Sequence, residues 1–185
     1  SNVSYNTINN AFGGSNHAST LYGIFNSTLG TGGTSDCIYN NNNITLGISS
    51  TSGAHCINDA ITTTSKTITN NTFSYGTFAS TSISYIITVS SATNNLTING
   101  NQTSGTINKT GTSGALYGYY NAGGPTGGTE SISNNNFSNI TVTGSSTFTG
   151  IHSATSATHT KNIYNNTISN ITLASGSFYG IYSTY

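Results

Sequence analysis

Six times along this chain an aliphatic residue is followed three positions later by asparagine. The aliphatic anchors are Val3, Ile38, Ile68, Ile98, Ile132 and Ile163, and their asparagines are Asn6, Asn41, Asn71, Asn101, Asn135 and Asn166. A second phrase follows each anchor: "LYGIFN" at residue 21, "GAHCIN" at 53, "ISYIIT" at 83, "LYGYYN" at 116, "FTGIHS" at 148 and "FYGIYS" at 178. Both phrases recur about every thirty residues, and the extra residues fall between them. A repeat of this length that cannot bury its apolar face alone must bury it against its neighbours.

The unit is not helical. Gly, Asn, Ser and Thr fill it, and no stretch keeps a 3.6-residue apolar rhythm. "NITVTG" and "NITLAS" alternate with period two, as short strands do. The Asn pair between Ile163 and Ile168 reads as a corner, because Asn tolerates the left-handed backbone conformation that most residues avoid. The expected fold is all-β: a parallel β-helix, or β-solenoid, of about six coils with ~30 residues each. Residues 1–185 form one array, with copies starting near residues 1, 36, 66, 96, 130 and 161. Equivalent residues stack one strand spacing apart, ~4.8 Å. Anchors line the interior, and corner asparagines form a ladder, each amide having both donors and an acceptor.

"IYNNTISNITLASGSFYGIYS" resembles the repeats of secreted β-strand-repeat surface proteins of Bacteroidetes-type bacteria, within the right-handed parallel β-helix class. The resemblance covers all six copies and is clearest in the last two. It implies a right-handed coil and an extracellular, cell-surface location. It is a poor guide to activity.

Composition narrows the function classes. The chain carries three lysines, three acidic residues and no net charge. Three lysines cannot neutralise many phosphates, so nucleic acid is not an expected partner. No apolar run approaches the ~20 residues of a membrane-spanning helix, so membrane insertion is not expected either. With no signal-peptide pattern and no initiator Met, the chain reads as a mature or excised segment.

Four of the six charges precede an anchor by two residues: Asp36, Lys66, Glu130 and Lys161. In the repeat register Asp36 faces Lys66 and Glu130 faces Lys161 as surface pairs that help fix register. Cys37 and Cys56 share one copy. They suggest a disulfide in an exported protein, or, for Cys56, a small buried hydrophobe in the column of Ile24, Ile86, Ile151 and Ile181. Their spacing around His55 is not that of a zinc site, and no metal or cofactor is expected.

Tyr22, Tyr117 and Tyr179 fall in one column of the second phrase; Tyr120 and Tyr182 fall in another with Phe25. Such a face can bind sugars or a neighbouring fibre, or it can simply pack against itself and strengthen the sheet. Catalysis is not expected. Asp36 and Glu130 would lie three coils apart, ~14 Å on that spacing, too far to cooperate, and no Ser/His/Asp set stands out. Ice binding would need regular Thr-X-Thr ladders; Thr141 and Thr143 form one pair, but Ala174 follows Thr172 and breaks the next.

The expected function is therefore structural: a subunit or module of an extracellular bacterial surface fibre. It would associate with itself head to tail through uncapped solenoid ends, since a non-closing contact propagates. Covalent glycans or extracellular polysaccharide are the other expected partners. The alternative is an adhesin or glycan-binding module using the tyrosine columns.

Overall fold

The computed structural model describes residues 1–11, 19–27, 36–47, 52–123, 125–154 and 159–184. These form a β-solenoid of about five turns in which every ladder is parallel. The first face stacks Asn2–Ser4, Cys37–Asn40, Thr63–Thr69, Thr93–Asn99, Pro125–Ser133 and Thr160–Tyr164. The second stacks Leu21–Asn26, Ala54–Asp59, Ser84–Val89, Leu116–Asn121, Phe148–Ser153 and Phe178–Ser183. The third is two shorter sheets. One runs from Thr7–Ala11 to Gln102–Thr103, the other from Thr77–Phe78 to Ile171–Ser175. Among the described residues no helix is long and apolar enough to cross a membrane.

A left-handed residue sits between the first and third faces in every rung. These are Tyr5, Asn41, Asn70, Gly100, Asn134 and Asn165, with φ between 54° and 66°. Four of the six are Asn and one is Gly, the residues for which this conformation costs least. The asparagine that follows is the ladder residue. Asn6, Asn42, Asn71, Asn101, Asn135 and Asn166 are joined Nδ2 to Oδ1 at 2.9–3.0 Å. Each ladder carbonyl from Asn42 onward also accepts the backbone N–H of the previous ladder residue. The second Nδ2 hydrogen of those same residues goes to the previous rung's Val3, Tyr39, Ile68, Ile98 or Ile132 carbonyl. Asn42, Asn71, Asn101 and Asn135 thus satisfy all their amide groups while buried, where an unpaired one would cost ~1–3 kcal/mol.

The second rung departs from the expected register by one residue. Val3 pairs with Tyr39, and Tyr39 with Ile68. Tyr39 is therefore the buried anchor, Ile38 is 36% exposed, and Asn41 is the bend rather than the ladder residue. The same one-residue shift affects the second phrase. Leu21 pairs with Ala54, and Ser84 with Leu116, so these two strands begin one residue later than expected.

The core lies inside the coil. Tyr39, Ile68, Ile98 and Ile132 line the first face; Ile57, Ile87, Tyr119 and Ile151 line the second. Fully burying each aliphatic side chain stabilises by ~1.5–3 kcal/mol. Cys56 does not share the Ile24 column. It lies in register between Gly23 and Ile86, in line with Gly118, Gly150 and Gly180. A Cβ on Gly118 would meet the Gly150 carbonyl at 2.4 Å and Phe137 at 2.8 Å, so the backbone there approaches too closely for a side chain. Cys37 and Cys56 are both free and buried; the expected disulfide is not formed. Cys37 sits on the first face and Cys56 on the second, and each thiol fills its own layer of the interior.

The charged column faces inward, contrary to the surface pairing expected. Cys37, not Asp36, pairs in register with Lys66, while Asp36 stays exposed and accepts from Ser65 Oγ at 2.5 Å. Lys66 instead meets Asp59 at 2.8 Å with neither side chain exposed. Tyr39 Oη donates to the other Asp59 oxygen at 2.5 Å, and Asn26 Nδ2 donates to Tyr39 Oη. Two rungs further on, Glu130 accepts from Tyr119, Asn121 and Ser153, with His159 Nε2 at 3.5 Å. Lys161 does lie in register with Glu130, and its Nζ donates to the carbonyls of Ser153 and Thr184. Burial and the neighbouring carboxylates push the Tyr39 and Tyr119 hydroxyls well above the ordinary tyrosine range. Lys109 is fully buried too; it donates to the Ser80 and Ser113 carbonyls and Ser146 Oγ, and burial lowers it to about 8. A chain with six charges thus buries four of them completely, where they need partners to remain charged.

Candidate functional site

The second face carries an aromatic ridge. Each of its strands turns two positions outward, the second and the fifth, with inward residues between them. The first outward column is Tyr22, His55, Tyr85, Tyr117, Thr149 and Tyr179. The second is Phe25, Asn58, Thr88, Tyr120, His152 and Tyr182. The five tyrosines of the candidate face, Tyr22, Tyr117, Tyr120, Tyr179 and Tyr182, all lie here. Spacing in the sequence did not bring His55 and Tyr85 into the first column. The one-residue shift in two strands hid them.

Contact along the ridge is nearly continuous. Ring centroids lie 4.9 Å apart for Tyr22–His55 and for His55–Tyr85, and 5.2 Å for Tyr85–Tyr117. Between the columns Tyr117–Tyr120 are at 5.0 Å and Tyr117–His152 at 5.6 Å, and within the second column Tyr120–His152 are at 4.9 Å. Offset and tilted rings at these distances attract, at about 0.5–1.5 kcal/mol per pair beyond their burial. The ridge is still open to solvent at both extremes, with Tyr22 and Phe25 41% and 54% exposed, Tyr179 and Tyr182 45% and 43%.

The first column is broken once. Thr149 occupies the first column between Tyr117 and Tyr179, and a recess of about 150 Å³ opens there. Tyr117, Thr147, Thr149, His152, Tyr179 and Tyr182 line it. Thr149 lies at its floor, 3% exposed. His152 Nδ1 is buried with no hydrogen-bond partner.

The electrostatics of the ridge are neutral. Burial lowers His55 to about 4 and lowers His152 as well, the Lys161 ammonium adding to the second effect. Burial raises Tyr85 to about 12 and raises Tyr117, with Tyr120 contributing to both. Near neutral pH this surface presents π-faces, hydroxyls and neutral imidazoles. That combination suits the C–H faces and hydroxyls of a carbohydrate, or another aromatic surface.

Among the described residues no three His, Cys, Asp or Glu side chains gather as metal ligands. Asp59 and Glu130 are locked into interior hydrogen bonds away from solvent. Compared with protein-family models, with curated proteins and with solved structures, the chain matches none of them.

Proposed function

We propose that the chain is a structural module of an extracellular bacterial surface fibre, of the β-strand-repeat type that its repeats resemble. The carrying observation is the asparagine ladder, which crosses every rung boundary with side-chain and main-chain hydrogen bonds. A coil bonded at each step resists bending and local opening, as a load-bearing rod must. The ladder is also directional, each Oδ1 from Asn42 onward accepting from the rung before it. Two chains stacked head to tail continue the same pairing, and such a heterologous contact propagates into a filament. Absence of net charge removes the repulsion that would oppose it. Electron microscopy of the purified chain tests this: fibres of uniform width and indefinite length support it, while single rods at all concentrations contradict it.

The aromatic ridge favours a second reading, an adhesin or glycan-binding module. Exposed tyrosines in two registered columns are a surface that self-packing alone does not require. A glycan array probed with the chain, and with a variant replacing Tyr22, Tyr179 and Tyr182 by Ser, tests it. Retained binding by that variant would remove the ridge from the reading.

A further inference from the structure

We propose that the recess across Thr149 is a subsite for one neutral pyranose ring, walled by the rings of Tyr117, His152, Tyr179 and Tyr182. This rests on the glycan-binding reading and narrows it to one place.

The recess exists because a ring is missing from a column of rings. From Tyr22 to Tyr117 each rung places an aromatic directly on its neighbour, and the faces are closed by contact at 4.9–5.2 Å. At Thr149 a small side chain takes that place, and the His152 ring leans toward it from the second column, 5.6 Å from Tyr117 and 4.7 Å from Tyr182, so that the space left beside it is the recess. The volume, about 150 Å³, matches a cavity that accepts one six-membered ring.

The polar groups fit the same occupant. Thr147 and Thr149 carry hydroxyls that donate or accept, as do Tyr117, Tyr179 and Tyr182, and all five residues line the recess. None of the six lining residues carries a carboxylate, ammonium or guanidinium, so a neutral sugar is favoured over an acidic or amino sugar. A six-membered ring flanked by C–H faces and edged with hydroxyls meets this site's walls and its floor together.

Saturation-transfer NMR with the methyl glycosides of glucose, galactose and mannose tests the subsite, with p-cresol as a flat-ring control. At least one glycoside is expected to bind the wild-type chain. Thr149→Tyr restores the missing ring and should abolish that binding. Tyr179→Ala removes one wall without touching the core and should weaken it about tenfold or more. Thermal unfolding checks that both variants remain folded. Binding unchanged in both variants overturns the subsite while leaving the wider ridge as a glycan surface. Binding of p-cresol alone, or of no probe, overturns the subsite as a sugar site. Fibre formation is read separately by microscopy, so its outcome is independent of these.

Discussion

Asn71 Nδ2 donates to Asn101 Oδ1 at 2.9 Å, and both side chains are wholly buried. This bond lies at the middle of a ladder that also ties main chain to side chain at each rung. Replacing Asn101 by Ala leaves the backbone N–H and Nδ2 of Asn71 without their acceptor and the Ile68 carbonyl without its donor. Chemical denaturation should show a loss of about 2–4 kcal/mol.

The second rung offers a sharper test of register. Asn42→Ala should cost a similar amount, because Asn42 is the ladder member. Asn41→Gly should be close to neutral, because Asn41 holds a left-handed bend with φ of 55° that glycine adopts freely. The reverse ranking would mean that the rung is set one residue earlier.

The buried Lys66–Asp59 pair makes a third prediction. Lys66→Met alone leaves the Asp59 side chain in the interior with only the Tyr39 hydroxyl and the Ile61 backbone N–H as donors, and should destabilise by about 3–5 kcal/mol. Adding Asp59→Asn removes the stranded charge and should restore a substantial part of that loss. A double-mutant cycle measured by urea unfolding gives the coupling directly.

Acid should weaken the fold through the ridge. His55 is lowered from 6.5 to about 4 by burial, so the unfolded chain binds its proton at higher pH than the folded one. The His55 contribution is therefore complete above about pH 6.5 and is lost as pH falls toward 4. His152, lowered in the same direction, adds to it. Melting temperatures followed from pH 7 to pH 4 should fall less steeply for His55→Phe than for wild type.

The free thiols are testable by labelling. Burial pushes the Cys56 thiol up to about 12, and both cysteines are enclosed. A thiol reagent should modify neither cysteine in the native chain at pH 8 and both after denaturation. A mass two hydrogens lower than the reduced chain would show a bridge instead.

The stacking was legible because like residues recur at one offset, and Ile68, Ile98 and Ile132 mark it without ambiguity. It slipped where the local sequence offers two equivalent choices. Residues 40–43 are four successive asparagines, and Ile38 and Tyr39 are both apolar, so spacing could not choose between Asn41 and Asn42. The second phrase slipped likewise in "ISYIITV", which concealed Tyr85, and in "GAHCIND", which concealed His55. Direction of the charged column was not legible either. Lys66 and Glu130 look like surface residues by type, and they point inward because Asp59 and Asn121, at the end of the preceding strand, meet them there. The recess depended on one threonine among 34, whose meaning comes only from the tyrosines above and below it.

Side-chain amide NOEs offer the most direct measurement of one-over-one stacking. In a uniformly labelled sample the Nδ2 protons of Asn71 should show cross-peaks to the side-chain amide protons of both Asn42 and Asn101, and those of Asn135 to Asn101 and Asn166. Cross-peaks from Asn71 to Asn41 in place of Asn42, or none between any of these residues, would contradict the stacked coil and the rod and ridge built on it.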